Sequence, residues 1–556
     1  SAASSPRLSP CWLTTRTFLK SVVEFGIGLP LSIQSRLPKQ LILRSSRFAQ
    51  KTATKRKMSK LIQRSNLLFH RPLTWSVVLT FFLAPTFGLL PRLQLIHLYN
   101  WTGSEGLAKC ADLQGSFLVT SCEWAGYPTG YFVYENIVTK SLSRFLSQLP
   151  GVNPFDAWQT IGIVYLMLGI WSCINIVKIF TGVQWPGVIA AFCYFAGGSI
   201  NSNPGLNQVF HGSALLPVAL WILLFIQKNQ SKNLYSPLFF FLYSFISGLL
   251  LVNVFGYVFL FYAVIALVVL SVSNIKIPHN LNIQSAWKSL RSLSIPLSSL
   301  FGFFFVSYFQ KIIWPPNSVE LFDTRFLRGA SNDFIALFLP NKSNLLWSSI
   351  LNISENLGIE GRYGSRTPFL GLFSLLLTFA AILVLFKKRK QLKENDLLIV
   401  ATLTALFAAI IFSLGPSFRF NDPWPTSGRI TTYNSRLMPA ESATFEMPWS
   451  FLFNRWGLGV GRVVDRWSIP TSLLISITAA TGLFLLGSHM KKRFSLQNGK
   501  ILFLIIPICL FWVLESTRPS INDDWSSYLL RRNWITNYQS TFLQPLESSI
   551  PPGSLV

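Results

Sequence analysis

The feature that most constrains this chain is a succession of apolar runs, about eleven in all, each near the roughly 20 residues an α-helix needs to cross a bilayer. They lie at 73–91, 158–180, 185–200, 213–227, 236–252, 257–273, 293–309, 368–386, 397–414, 467–487 and 501–515. Those at 185–200, 213–227 and 501–515 are the shortest in apolar content. Backbone in lipid must satisfy its N–H and C=O groups within the segment, so unbroken apolar runs of this length predict helices. Only 12% of the 556 residues are charged, against about 25% in soluble domains. The expected fold class is therefore an all-α polytopic membrane protein with about eleven transmembrane helices, long outer loops and an outer C-terminal segment.

Orientation follows from charge. With a cytoplasmic N-terminus, the short inner loops hold "QKNQSK", "NIKIPHNLNIQSAWKSLR", "KKRKQLKEND" and "SHMKKRFSLQNGK". The short outer loops "NSNPGLNQVFHG" and "NVFGY" hold no Lys or Arg, which is the positive-inside asymmetry. On this topology the inner side carries 29 basic and 3 acidic residues and the outer side 19 and 18. Almost the whole net charge of +27 thus reads as a topology signal with some attraction to anionic lipid, and nucleic-acid binding is disfavoured.

Residues 1–57 carry 11 basic residues and one acid, Glu24, and precede the first methionine, Met58. They read as a basic leader or as a spurious upstream extension. Residues 58–515 form the expected transmembrane domain, and 516–556 the start of a truncated outer soluble domain. Four long segments, 92–157, 310–367, 415–466 and 516–556, fall on the outer side. With 18 of the 21 carboxylates also there, polar chemistry is expected outside.

The first outer loop contains "CADLQGSFLVTSCEWAGYPTGYF". Cys110 and Cys122 are the one cysteine pair in an outer loop. Export permits a disulfide that would stabilise by about 3 kcal/mol, with two free thiols as the alternative. Asp112, then Glu123 and Glu105, are candidate general bases, since a carboxylate held over the bilayer can take a proton from a sugar hydroxyl. Solvated or paired loop charges are the plainer reading of each. "ENIVTKSLSRFLSQL" follows, with Ile137, Leu142, Phe145 and Leu146 on one helical face, which suits an interfacial helix.

In the second loop Arg325 and Arg328 lie three apart, and Arg362 and Arg366 follow in "EGRYGSR". Arginine forks suit phosphate oxygens, and salt bridges with Glu320, Asp323 or Glu360 explain them equally well. His211, just outside its span, is either a substrate contact or a hydrogen-bonded structural group. Arg462 and Arg466 stand four apart at the outer mouth of 467–487, against the positive-inside trend, between Trp456 and Trp467 as interfacial anchors. They can clamp a lipid-borne phosphate, or be neutralised by Asp465 and ordinary headgroups. No Cys/His spacing suits zinc, so no metal site is expected.

The succession "WPGVIAAFCYFAGGSINSNPGLNQVFHGSALLPVALWILL", "SNDFIALFLP", "FSLGP" and "MPWSFLFNRWGLGVGRVVDRW" resembles the GT-C class of integral-membrane glycosyltransferases, in an uncharacterised bacterial branch, over most of Met58 to the end. The resemblance implies a polyprenyl-phosphate-linked sugar as donor and a glycan or lipid of the cell envelope as acceptor. It assigns the catalytic role to Asp112, with Glu123 the rival, and would match Arg462 and Arg466 to the class's paired arginines. The paired acids that members often carry close to the first span do not occur here. It also implies a bacterial inner membrane, and it leaves a divalent-metal requirement open and names no resident cofactor. The rival expectation is a non-catalytic lipid-linked glycan transporter or envelope-assembly partner. A transporter should carry charges inside its spans, and these spans are nearly free of them.

Overall fold

The computed structural model describes residues 71–87, 89, 121–122, 131–132, 137–152, 154–197, 207–229, 324–329, 331, 333–338, 346–347, 369–388, 394–420, 441, 443–448, 450, 467–494 and 498–517. In chain order the helices are α1 (Pro72–Leu83), α2 (Ile137–Ser147), α3 (Pro154–Thr181), α4 (Trp185–Ala196), α5 (Asn207–Asn229), α6 (Thr324–Gly329), α7 (Leu372–Lys387), α8 (Glu394–Ser413), α9 (Ser468–Phe494) and α10 (Asn498–Ser516). Two short antiparallel pairs and 3₁₀ turns at Pro85–Phe87 and Ile335–Leu337 complete the described structure. β1 (Ser121–Cys122) pairs with β2 (Tyr131–Phe132), and β3 (Ser417–Phe418) with β4 (Phe445–Glu446).

Eight of the expected apolar runs coincide with helices, and those at 236–252, 257–273 and 293–309 lie outside the described residues. Three helical stretches are long and apolar enough to cross a membrane: Asp156–Thr181, Asn395–Ser413 and Ser468–Lys491. Shorter apolar helices are Pro72–Leu83, Trp185–Ala196, Phe210–Phe225, Leu372–Lys387 and Ile505–Ser516. The described fold is thus mostly helical and fit for a membrane.

Side-chain placement points the same way. On α1 the buried residues include Ser76 and Thr80, while Phe81 is 77% exposed. On α7 Ser374, Thr378 and Ala381 are buried, while Leu376, Phe379 and Phe386 face outward, Phe386 at 63%. Small and hydroxyl-bearing residues lie inside beside Leu83, Leu377 and Leu385, while large apolar ones crowd the outward faces, unlike a water-soluble surface. This arrangement fits a bundle whose helices meet through close backbone packing while lipid wets their bulky faces.

Two groups of helices make up the core. α3 packs against α1, α2, α4 and α5, and α9 packs against α7 and α8. They are joined where α9 meets α4 and α3, and where α10 meets α4. At the α7–α9 crossing a Cβ on Gly482 would collide with the carbonyl oxygen of Leu377, so the backbones touch, and Thr378 Oγ1 and Thr478 Oγ1 share a 3.0 Å hydrogen bond beside them. Likewise a Cβ on Gly169 of α3 would collide with the carbonyl oxygen of Ala214 in α5.

α5 carries Pro217 in its interior. Proline has no N–H, so the carbonyl four residues back, that of Ser213, loses its helical donor. The buried hydroxyl of Tyr194 on α4 donates to that oxygen at 2.8 Å. The proline's defect is thereby repaired from a neighbouring helix, as a buried backbone carbonyl requires.

Candidate functional site

Segments read from the sequence as outer meet at one end of the bundle. The second outer loop contributes α6 and a single 3₁₀ turn at Ile335–Leu337. Arg328, at the end of α6, is buried, and its Nε donates to Ser417 Oγ at 2.8 Å. Its Nη2 reaches Glu446 Oε1 at 3.1 Å across to β4. Arg419, buried beside β3, donates through Nη2 to the carbonyl oxygen of Ser331, and its own carbonyl accepts from the N–H of Phe334 at 3.1 Å. Buried Asp333 caps the 3₁₀ turn, with Oδ1 accepting from the N–H of Ile335 at 2.9 Å. The rings of Phe334, Phe418 and Phe420 gather over this contact.

The belt continues to the last helix. The N–H of Leu370 donates to the carbonyl of Leu337 at 3.0 Å, which leads the loop to the first turn of α7. There the carboxylate of Glu515, from the end of α10, stands where an N-cap anion belongs. It accepts from the N–H groups of Leu372 at 2.6 Å and Phe373 at 2.8 Å, and from Trp347 Nε1 at 2.8 Å. A helix N-terminus offers unpaired N–H donors and a positive dipole end, which offset part of the cost of burying this carboxylate. Gly371 makes room for it: its φ of +84° is a left-handed conformation, and a Cβ there would stand 2.8 Å from Glu515 Oε2. Trp512 Nε1 donates to Ser374 Oγ at 2.8 Å, and Phe373 stacks on Phe511. Among the described residues, Glu515, Trp347, Arg419, Ser417 and Glu446 are thus site residues that the sequence reading did not single out.

The expected site residues divide as follows. Asp112, Glu105, Glu123, Cys110, Arg362, Arg366, Arg462 and Arg466 lie outside the described residues. Cys122 lies in β1, its Cα paired with that of Tyr131. Arg325 and Arg328 share α6, Arg325 exposed and Arg328 committed to Ser417 and Glu446. Glu320, Asp323 and Glu360, expected as possible salt-bridge partners, lie outside the described residues. Trp467, expected as an interfacial anchor, is buried, because its ring stacks on Phe412 of α8 at 5.0 Å.

His211, in the first turns of α5, is fully buried in an aromatic setting. Its ring centroid lies 4.5 Å from that of Trp158, 5.4 Å from Tyr165 and 5.9 Å from Phe210. The structural alternative expected a hydrogen bond to the imidazole, and neither ring nitrogen has a partner among the described residues.

No protein-family model matches the chain, and no curated protein matches it significantly.

Proposed function

We propose that this chain is an inverting glycosyltransferase of the GT-C kind, embedded in a bacterial inner membrane with its N-terminus cytoplasmic, its long loops outside and about eleven spans. It moves a sugar from a polyprenyl-phosphate donor to a glycan or lipid of the cell envelope. The observation that supports this reading best is the belt from Arg328 to Glu515, where two loops and the end of the last helix form an ordered polar surface on an inside-out apolar bundle. A surface of that kind suits a reaction between a lipid-borne donor and a water-borne acceptor.

In the proposed step, the acceptor hydroxyl oxygen attacks the anomeric carbon and its proton passes to the Asp112 carboxylate, with Glu123 and Glu105 as the other candidates. The bond from the anomeric carbon to the phosphate oxygen breaks, and polyprenyl phosphate leaves with the electron pair. Arg462 and Arg466 hold that phosphate, with Arg325, Arg362 and Arg366 next in line. Arg328 is the weaker candidate, since Ser417 and Glu446 already take part of its guanidinium.

The test compares lipid-linked sugars in cells lacking the gene and in cells complemented with wild type or Asp112→Asn, at matched membrane levels. Accumulation of a polyprenyl-phosphate sugar on deletion, cleared by wild type and not by the variant, is the expected result. Full clearance by the variant removes Asp112 from the mechanism. Unchanged lipid-linked sugars and envelope glycans on deletion overturn the transferase reading.

A further inference from the structure

The short β3–β4 ribbon has two unlike faces. Its register sets Ser417 opposite Glu446 and Phe418 opposite Phe445, and successive side chains on a strand point to opposite sides. The polar pair turns to Arg328, which donates to Ser417 Oγ at 2.8 Å and to Glu446 Oε1 at 3.1 Å. The aromatic pair stacks with ring centroids 4.8 Å apart and planes 10° from parallel. Phe334 lies 5.5 Å from Phe418 and stacks on Phe420 at 6.2 Å, and Phe338 meets Phe334 at 5.2 Å. Five phenylalanines from three segments thus form one connected patch. Phe334 and Phe418 pack against the core, while Phe338, Phe420 and Phe445 are 47%, 55% and 52% exposed.

Three half-exposed rings at one spot call for a partner, and the patch narrows which. A phenyl ring has no polar tip. The ribbon's hydrogen-bonding side chains, Ser417 and Glu446, stand on its other face, so a sugar stacked on the rings would find nothing there for its hydroxyls. An apolar occupant fits better, and the patch adjoins the lipid-facing side of the bundle. The N–H of Leu370 donates to the carbonyl of Leu337. This ties the turn that carries Phe334 and Phe338 to the start of α7, where Leu372 and Leu376 face outward. Backbone close to lipid must be paired. Here the carbonyls of Pro416, Phe418 and Arg419 accept from the N–H groups of Met447, Thr444 and Phe334 at 2.9, 2.9 and 3.1 Å. We propose that the β3–β4 ribbon is a membrane-surface anchor. Phe338, Phe420 and Phe445 reach into the acyl boundary of the adjacent leaflet, the outer one on the sequence topology, and Glu446 faces the aqueous side. The occupant is phospholipid acyl chain, and the anchor sets the depth at which the two long outer loops meet. The proposal is independent of the transferase reading.

The test places the photo-cross-linker p-benzoyl-phenylalanine singly at positions 420, 445 and 446 of the full chain. Each variant is reconstituted in vesicles of phosphatidylcholine and phosphatidylglycerol, irradiated, and its products are read by mass spectrometry. Phospholipid adducts joined through acyl-chain carbon at 420 and 445, and loss of those adducts at 446, are the expected result. Absence of acyl adducts at 420 and 445 overturns the anchor, as does equal acyl labelling at 446. Irradiation in native membranes tests the other occupants. Adducts at 420 and 445 to a glycan, a polyprenyl chain or a second protein in place of phospholipid refute the proposal. Should the bulkier ring keep these variants from folding, an experimental density map of the wild type in lipid nanodiscs decides. Rings of Phe420 and Phe445 below the level of the headgroup phosphates are expected there, and rings standing clear of the bilayer overturn the anchor.

Discussion

At the scale of single residues, the belt separates charges that matter to stability from those that do not. Glu446 is 62% exposed and Arg328 only 4%, so the two halves of one ion pair are unequal. Glu446→Gln leaves an arginine still bonded to Ser417 and costs under about 1 kcal/mol, in the range of solvent-exposed pairs. Arg328→Met strips the donor from buried Ser417 as well and costs about 1–3 kcal/mol. Thermal unfolding of the two variants in the same detergent checks that ordering. Glu515→Gln is the sharper case. Its amide nitrogen must face N–H donors of Leu372, Phe373 or Trp347, so one buried donor is left without an acceptor. The loss is at least about 1–3 kcal/mol, read as a drop in Tm, and Glu515→Asp should not restore it because the shorter side chain cannot span both backbone N–H groups.

Between elements, repairs and close approaches dominate. The pairing of Pro217 with Tyr194 makes a specific prediction. Tyr194→Phe removes the hydrogen bond to the Ser213 carbonyl and lowers stability by about 0.5–1.5 kcal/mol. Adding Pro217→Ala returns the missing N–H to α5 and should recover most of that loss, which unfolding of the single and double variants measures. The apolar runs made the helices themselves legible in the sequence, since charge-free stretches such as 368–386 and 467–487 allow little else. Their contacts were not legible. Arg328 finds its carboxylate 118 residues away and Trp347 finds Glu515 at 168. Glu515 carried one legible signal: a carboxylate at the end of an apolar run, where its charge demands donors.

For the molecule as a whole, the order of ends agrees with alternating passage. The starts of α7 and α9 meet the ends of α10 and α8, through Phe373 on Phe511 and Trp467 on Phe412. If that end faces outward, cysteines introduced at Thr517 and Glu446 should react in intact cells with a membrane-impermeant maleimide, and one at Lys387 only after permeabilisation. The reverse pattern would invert the orientation. The proposed catalytic residues were readable only as types of charge in loops, because their meaning depends on which loops converge, and loop convergence is decided by tertiary docking rather than by hydropathy.

The seam between α7 and α9 also limits how this protein can move. Sliding one helix past the other by a turn would bring Thr478 or Leu486 to the place of Gly482, and either side chain would strike the carbonyl that now rests on bare backbone. A ratchet along this seam is closed in both directions, so α7 and α9 form a fixed spine. Any shape change that accompanies a working cycle must pivot on other joints.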